Sequence, residues 1–224
     1  MKTIDLTHEL YNKMPVYPGM PEFKITEYNK INNNGANALL LNFLTHHGTH
    51  IDAPYHIIES GKSIDDFSMN DINSTCVIIK FTDKKPDDKI ELSDLVKYSD
   101  ILYDYESVLF NTGWSDKREI DKTLYSNHWI GLSNDASEFL SKYKLKFIGT
   151  DGLSIASPPN NSNLDEIIDV HKRILDKDIF IVEELNLSNI VFSSDTTVSG
   201  KLTLVPLKIK NADGSPIRAL FTYQ

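Results

Sequence analysis

A chain of 224 residues with a formal net charge of −9 is long enough to bury a sizeable core in one domain spanning residues 1–224. The acidic balance opposes nucleic-acid backbones and anionic lipid, so the expected partner is a small-molecule substrate, with no nucleic acid and no membrane. A single cysteine, Cys76, excludes an intrachain disulfide, and no apolar run approaches the roughly 20 residues of a membrane span, which together read as cytoplasmic.

The N-terminus passes straight into a strand-like pattern with no apolar leader. Further strands are predicted at 23–28, 38–44, 76–82, 107–111, 146–150, 178–183, 202–207 and 218–222. These runs are rich in Ile, Val, Phe and Leu and are bounded by Gly, Pro, Asn or Asp. Cys76 opens one of them and reads as a buried strand thiol. A weak helical pattern covers 93–98. Ala136, Phe139, Leu140 and Tyr143 fall at helical spacing after the start signal Ser133-Asn134-Asp135. Leu164, Ile167, Ile168, His171, Ile174 and Leu175 form a second apolar stripe, which Asn163 and Glu166 can open with a capping box. Many strands and few helices predict a mixed, β-rich α/β domain rather than a doubly wound one. Loops 29–36 and 155–163, rich in Asn, Gly, Ser and Pro, are expected at the surface, rimming a site.

Four of the seven histidines fall within His46-His47-Gly48-Thr49-His50-Ile51-Asp52-Ala53-Pro54-Tyr55-His56. In extended chain the even positions share one face and the odd ones pack. Full extension would part His46 and His50 by ~13 Å, too far for one metal, so the chain must curl between them, most cheaply at Gly48. A helix would also join His46 to His50, but Gly48 and Pro54 argue against it and Asp52 would point off that face. Two imidazoles and a carboxylate suit Zn2+ or Mn2+ and leave a position for water, which a bound ion activates as a nucleophile. His56 is the spare imidazole, placed to move protons. The alternative is a histidine-rich surface turn without a metal.

The pattern His-x-Gly-Thr-His-x-Asp-x-Pro-x-His resembles the signature of the cyclase family, which includes bacterial kynurenine formamidases and isatin hydrolases. Further landmarks occur in family order: Ile4-Asp5-Leu6-Thr7-His8, Met14-Pro15-Val16-Tyr17-Pro18-Gly19, Asn111-Thr112-Gly113-Trp114, Ile148-Gly149-Thr150-Asp151, His171, Ile181-Val182-Glu183-Glu184 and Ala212-Asp213-Gly214-Ser215-Pro216-Ile217-Arg218. The resemblance implies a swivelling β/β/α-type fold in a homodimer or homotetramer, with one or two ions per chain. It implies that His46, His50 and Asp52 hold one ion and that Asp52, His171 and Glu183 hold a second. It implies that His56, with Glu183, carries protons during amide hydrolysis. N-formylkynurenine is the first substrate expected; a cyclic amide or a lactone is the alternative, and a catalytically silent metal-binding member the third. Leu153-Ser154-Ile155-Ala156 departs from the Pro-Ser-Val-Asp of typical formamidases.

An inward His on a helix is more often a satisfied core group than a ligand, and a bare carboxylate ending an apolar strand is costly; a metal shared by His171 and Glu183 would relieve both. Glu184 is expected to face solvent or to stand behind the ligands. His47, at odd parity, should face away from the metal. His8 and Asp5 are read as structural, as is the aromatic patch of Tyr125, His128 and Trp129. By analogy, Tyr17 and Trp114 are substrate-binding candidates.

Overall fold

The short apolar runs, rich in β-branched residues and bounded by turn formers, become strands whose ladders satisfy the backbone while both faces are buried. In the computed structural model, which describes residues 1–193 and 195–223, the strands are β1 (Lys2–Asp5), β2 (Lys24–Asn29), β3 (Ala38–Asn42), β4 (His50–Asp52), β5 (Asn73–Lys80), β6 (Lys89–Ile90), β7 (Ser107–Asn111), β8 (Gly131–Leu132), β9 (Phe147–Thr150), β10 (Phe180–Glu183), β11 (Thr197–Pro206) and β12 (Gly214–Tyr223). The helices are α1 (Ile31–Asn34), α2 (Leu92–Leu95), α3 (Ser99–Tyr103), α4 (Lys122–Asn127), α5 (Asn134–Leu140) and α6 (Leu164–Leu175).

The main sheet closes on itself in the order β12-β11-β5-β7-β9-β10-β4 and back to β12, a seven-stranded barrel with β1 paired beside β4 on the same edge of β12. Closure removes the free edges that an open sheet would expose. β5, β7, β9 and β10 run parallel, joined by helical crossovers, whereas β4, β11 and β12 pair antiparallel. This is the mixed, β-rich α/β architecture that the pattern predicts.

Strand parity sorts the core into two layers. Cys76, Ile78, Leu109, Phe147, Val182, Leu202 and Phe221 pack with one another, and Val77, Ile79, Phe110, Ile148 and Ile181 pack beneath the helices. Cys76 is fully buried, and burial pushes its thiol pKa up. The Asn163–Glu166 capping box opens α6 as its sequence predicts. β11 and β12 outgrow the predicted 202–207 and 218–222, because their mutual pairing and the pairing of β11 with β5 recruit polar residues at their ends.

Two expectations are corrected here. Loop 155–163 is only half a surface loop: Ile155, Ala156, Ser157 and Pro158 are buried, and the Trp129 indole N–H donates to Ala156 O at 2.7 Å. Segment 29–36 contains the short helix α1. No helix among the described residues is long and apolar enough to cross a membrane.

Candidate metal centre

The 46–56 segment curls at Gly48, which takes φ +66°, a conformation that favours glycine; a Cβ there would also push aside the end of the Leu10 side chain, 2.3 Å away at Cδ2. Thr49 pins the turn, its hydroxyl donating to Glu184 O at 2.6 Å and accepting the His8 N–H at 2.9 Å. β4 then runs between β10 and β12. Its register sets His50 opposite Glu183 and Asp52 opposite Gly214, so two distant segments deliver Glu183 and Asp213 to the motif. Pro54 opens a 3-10 turn, Pro54–His56, that brings the His56 ring to a centroid distance of 4.2 Å from His46 and 6.1 Å from His171.

The polar atoms converge closely. His46 Nδ1 lies 2.7 Å from Asp52 Oδ1, and His46 Nε2 lies 2.8 Å from Asp213 Oδ2. His50 Nε2 lies 3.2 Å from Asp52 Oδ1 and 3.3 Å from Glu183 Oε2. His171 Nε2 lies 3.4 Å from Glu183 Oε1. The donor atoms of His50, Asp52 and Glu183 all fall within 4.8 Å of one another, as do those of His46, Asp52 and His56, so Asp52 is common to both groups. The structure thus brings together His46, His50, Asp52, His56, His171 and Glu183, with His46 Nδ1 and His50 Nε2 both turned to Asp52 Oδ1 and the His56 ring beside that of His46.

The donor set fits a cation. His50 Nδ1 donates to Gly48 O at 2.8 Å and His171 Nδ1 to Ile167 O at 2.7 Å, because a carbonyl can only accept. In their neutral forms both rings therefore point Nε2 lone pairs at carboxylates. His50 Nε2 and Asp52 Oδ2 are buried without a hydrogen-bond partner. Such an arrangement repels itself unless positive charge lies between the groups. The acid–base balance carries the same demand. Burial pushes His46 down, yet Asp52 and Asp213 outweigh it and raise it to about 9. Asp52 and Glu183 likewise raise His50 against its burial, and Glu183 raises His171. Against their own burial, Asp52 is held well below the usual carboxylate range by His46 and His50, and Glu183 is held at about 2 by His171 and His50. Imidazole and carboxylate donors together suit Zn2+ or Mn2+.

Beside the centre lies a cavity of about 250 Å3. Tyr17 lines it, with its ring 5.5 Å from that of Trp129, and burial pushes its hydroxyl pKa up to about 12. Trp114 does not reach the cavity. It is 2 % exposed, stacks on Tyr125 and donates its indole N–H to Tyr125 O. The reason is Asp151, whose carboxylate takes the backbone N–H groups of Thr112 and Trp114 and folds the loop inward.

Glu184 is also not solvent-facing. Its φ of +51° ends the strand alternation, and the side chain is buried where it accepts from Tyr125 Oη at 3.2 Å and pairs with Arg118 at 3.5 Å. His47 does turn away, accepting from Leu44 N–H and donating to Pro21 O. Asp213 is the member of the site that sequence reasoning left without a role. Its signal in the sequence is its place in the landmark Ala212–Arg218, which names no role for it.

A family model described as "Putative cyclase" matches residues 4–157. The chain belongs to the cyclase family. A relative named kynurenine formamidase, from Geobacillus thermodenitrificans, is 29 % identical over 218 residues, covering 96 % of this chain and 95 % of its own. A solved structure titled as a potential metal-dependent hydrolase with cyclase activity shares 26 % identity at a TM-score of 0.77, covering 98 % of this chain and 96 % of its own. Isatin hydrolase A from Labrenzia aggregata, bound to benzyl benzoate, shares the fold at a TM-score of 0.82 and 24 % identity, over 98 % of this chain and 93 % of its own.

Proposed function

We propose that this cyclase-family chain is a metal-dependent hydrolase of a small aryl amide, with one or two Zn2+ or Mn2+ ions per chain. The observation that carries the reading is the convergence of His50 Nε2 and His171 Nε2 on the carboxylates of Asp52 and Glu183. The relatives named as a formamidase and as a potential metal-dependent hydrolase support it. His46, His50, Asp52, His171 and Glu183 would hold the metal, which when bound lowers the pKa of water and polarises the scissile carbonyl.

The rest falls to the chain. His56 stands at the cavity wall with Nδ1 3.3 Å from Asp213 Oδ2, so Nδ1 carries the proton and Nε2 is free to accept one. It takes a proton from the attacking water and returns it to the leaving nitrogen as the C–N bond breaks, releasing a carboxylic acid and an amine. In this reading Glu183 is a ligand and, with His56, a candidate proton carrier; its Oε1 accepts the Ile155 N–H at 2.6 Å and the Ser154 hydroxyl at 3.2 Å, which fixes the carboxylate's position.

A linear aryl formamide is the first candidate class, on the strength of the formamidase relative, with N-formylkynurenine as the member of it that the relative's name suggests testing. A cyclic amide or lactone is the second, favoured by Leu153, which faces the cavity where formamidases carry proline. A homodimer or homotetramer belongs to this reading, supported by the exposed Leu39, Leu40 and Leu41 on β3.

The test measures metal content, and hydrolysis of formanilide, N-formylkynurenine and isatin, by wild type and His50→Ala. Wild type is expected to hold metal and cleave at least one substrate, and the variant to lose both properties. A wild type that cannot be loaded with metal, or that is loaded and cleaves none of the three, ends the proposal.

A further inference from the structure

The cavity wall facing the candidate centre carries no cation. Leu44, Ile57, Leu153, Leu164, Ile167 and Ile168 form it, with Tyr17 and Met20 beside them; among the described residues lining the cavity none is Lys or Arg. The ionisable side chains of the lining that lie at the centre are His46, His50, His56, His171 and Glu183.

Apolar surface also continues to the mouth, where Leu164 is 69 % exposed and Met20 47 %. The acids of the first turn of α6, Asp165 and Glu166, follow Leu164 directly, so the charges nearest that wall on its own helix are negative. A carboxylate brought to this wall would leave water for no cation, with the hydroxyls of Tyr17 and Ser154 as the side-chain O–H donors of the lining, the second already donating to Glu183. The overall charge of −9 adds repulsion at longer range. At about 250 Å3 the cavity lies below the roughly 300–1,000 Å3 common for ligand pockets, which leaves little room to hydrate a charged appendage inside it.

Resting on the hydrolase reading above, we propose that the substrate is a neutral aryl amide whose ring carries no ionised group, and that this cavity discriminates against an amino-acid side chain on the ring. The wall accepts the ring and any uncharged substituent by apolar contact. The scissile carbonyl lies toward the histidines.

Two matched pairs of probes test it. N-formylkynurenine and N-(2-acetylphenyl)formamide share the scissile bond and the aryl ketone, and differ only in the amino-acid end. The neutral formamide is expected to exceed the zwitterion in kcat/KM by about 100-fold or more on the metal-loaded enzyme. Equal values, or preference for the zwitterion, overturn the inference and leave the hydrolase reading standing.

The products supply a readout independent of turnover. 2-Aminoacetophenone is expected to bind at least about 10-fold more tightly than kynurenine by calorimetry. Equal or tighter binding of kynurenine overturns the inference. If neither formamide is cleaved while the neutral product still binds selectively, the hydrolase reading fails for these amides and the selectivity stands. Ile168→Arg, which sets a cation on the wall, is expected to narrow the neutral-to-zwitterion ratio about 10-fold or more; a ratio it does not move also overturns the inference.

Discussion

Asp213 Oδ2 lies 2.8 Å from His46 Nε2, and the same oxygen lies 3.3 Å from His56 Nδ1. Thr45 Oγ1 donates to the other carboxylate oxygen at 2.8 Å, which fixes the group in place. One carboxylate therefore orients a proposed metal ligand and the proposed proton carrier together. Carboxylates behind metal-bound imidazoles set the ring tautomer, and their loss commonly costs 10–100-fold in affinity or activity. Asp213→Asn is expected to lower kcat about 10–100-fold and weaken metal binding about 10-fold, read by steady-state kinetics and by titration against a chelator. A variant unchanged in both would make Asp213 a bystander.

Metal removal should be visible in stability as well as in activity. His50 Nε2 and Asp52 Oδ2 are buried without partners, so stripping the ion leaves the centre to protons alone. An ion at a free concentration 100 times its Kd adds about 2.7 kcal/mol to the folded state. For a chain of this size that corresponds to about 5–10 °C in Tm. Melting curves with and without a chelator measure it. A midpoint that ignores the chelator contradicts the centre.

The motif at 46–56 was legible because its chemistry is local: the curl at Gly48 and the shared face of His50 and Asp52 follow from spacing and glycine conformation. So was α6, whose periodicity and capping box lie within 13 residues, Asn163 to Leu175. Asp213 was not legible in its role. It reaches His46 only because β12 pairs with β4, a contact across more than 160 residues that no local pattern encodes. Alternation turns Glu184 away from Glu183 but does not show that its side chain is buried against Arg118 and Tyr125, partners set by the tertiary fold. Trp114 was misplaced because the buried carboxylate that folds its loop inward lies 37 residues away.

Breaking the Arg118–Glu184 pair should cost far more than a surface ion pair. Arg118 is 1 % exposed and Glu184 2 %, and Arg118 Nε lies 3.5 Å from Glu184 Oε1. Arg118→Met leaves the Glu184 carboxylate buried with only the Tyr125 hydroxyl for company. The expected loss is about 3–5 kcal/mol by urea denaturation. Adding Glu184→Gln removes the stranded charge and keeps an acceptor for Tyr125, so the double variant should recover at least about half of that loss. If single and double variants unfold alike, the charge pair is not what makes Arg118 matter.

Acid should weaken the fold through His8. Its Nε2 is buried without a partner, and burial together with the charge of Arg118 pushes the imidazole down to about 3. An unfolded histidine titrates near 6.5, so between about 6.5 and 3 the unfolded chain binds a proton that the folded chain refuses. Stability from this group is therefore complete above pH 6.5 and is lost as the pH falls below it, by about 1.4 kcal/mol at pH 5.5. His8→Gln removes the titration. Its stability should fall less between pH 7.5 and 5.5 than that of wild type, by about 1 kcal/mol in urea midpoints converted with a common slope. Acid release of metal affects both proteins and cancels in the difference. Parallel pH profiles would mean that His8 protonates equally well in the folded chain.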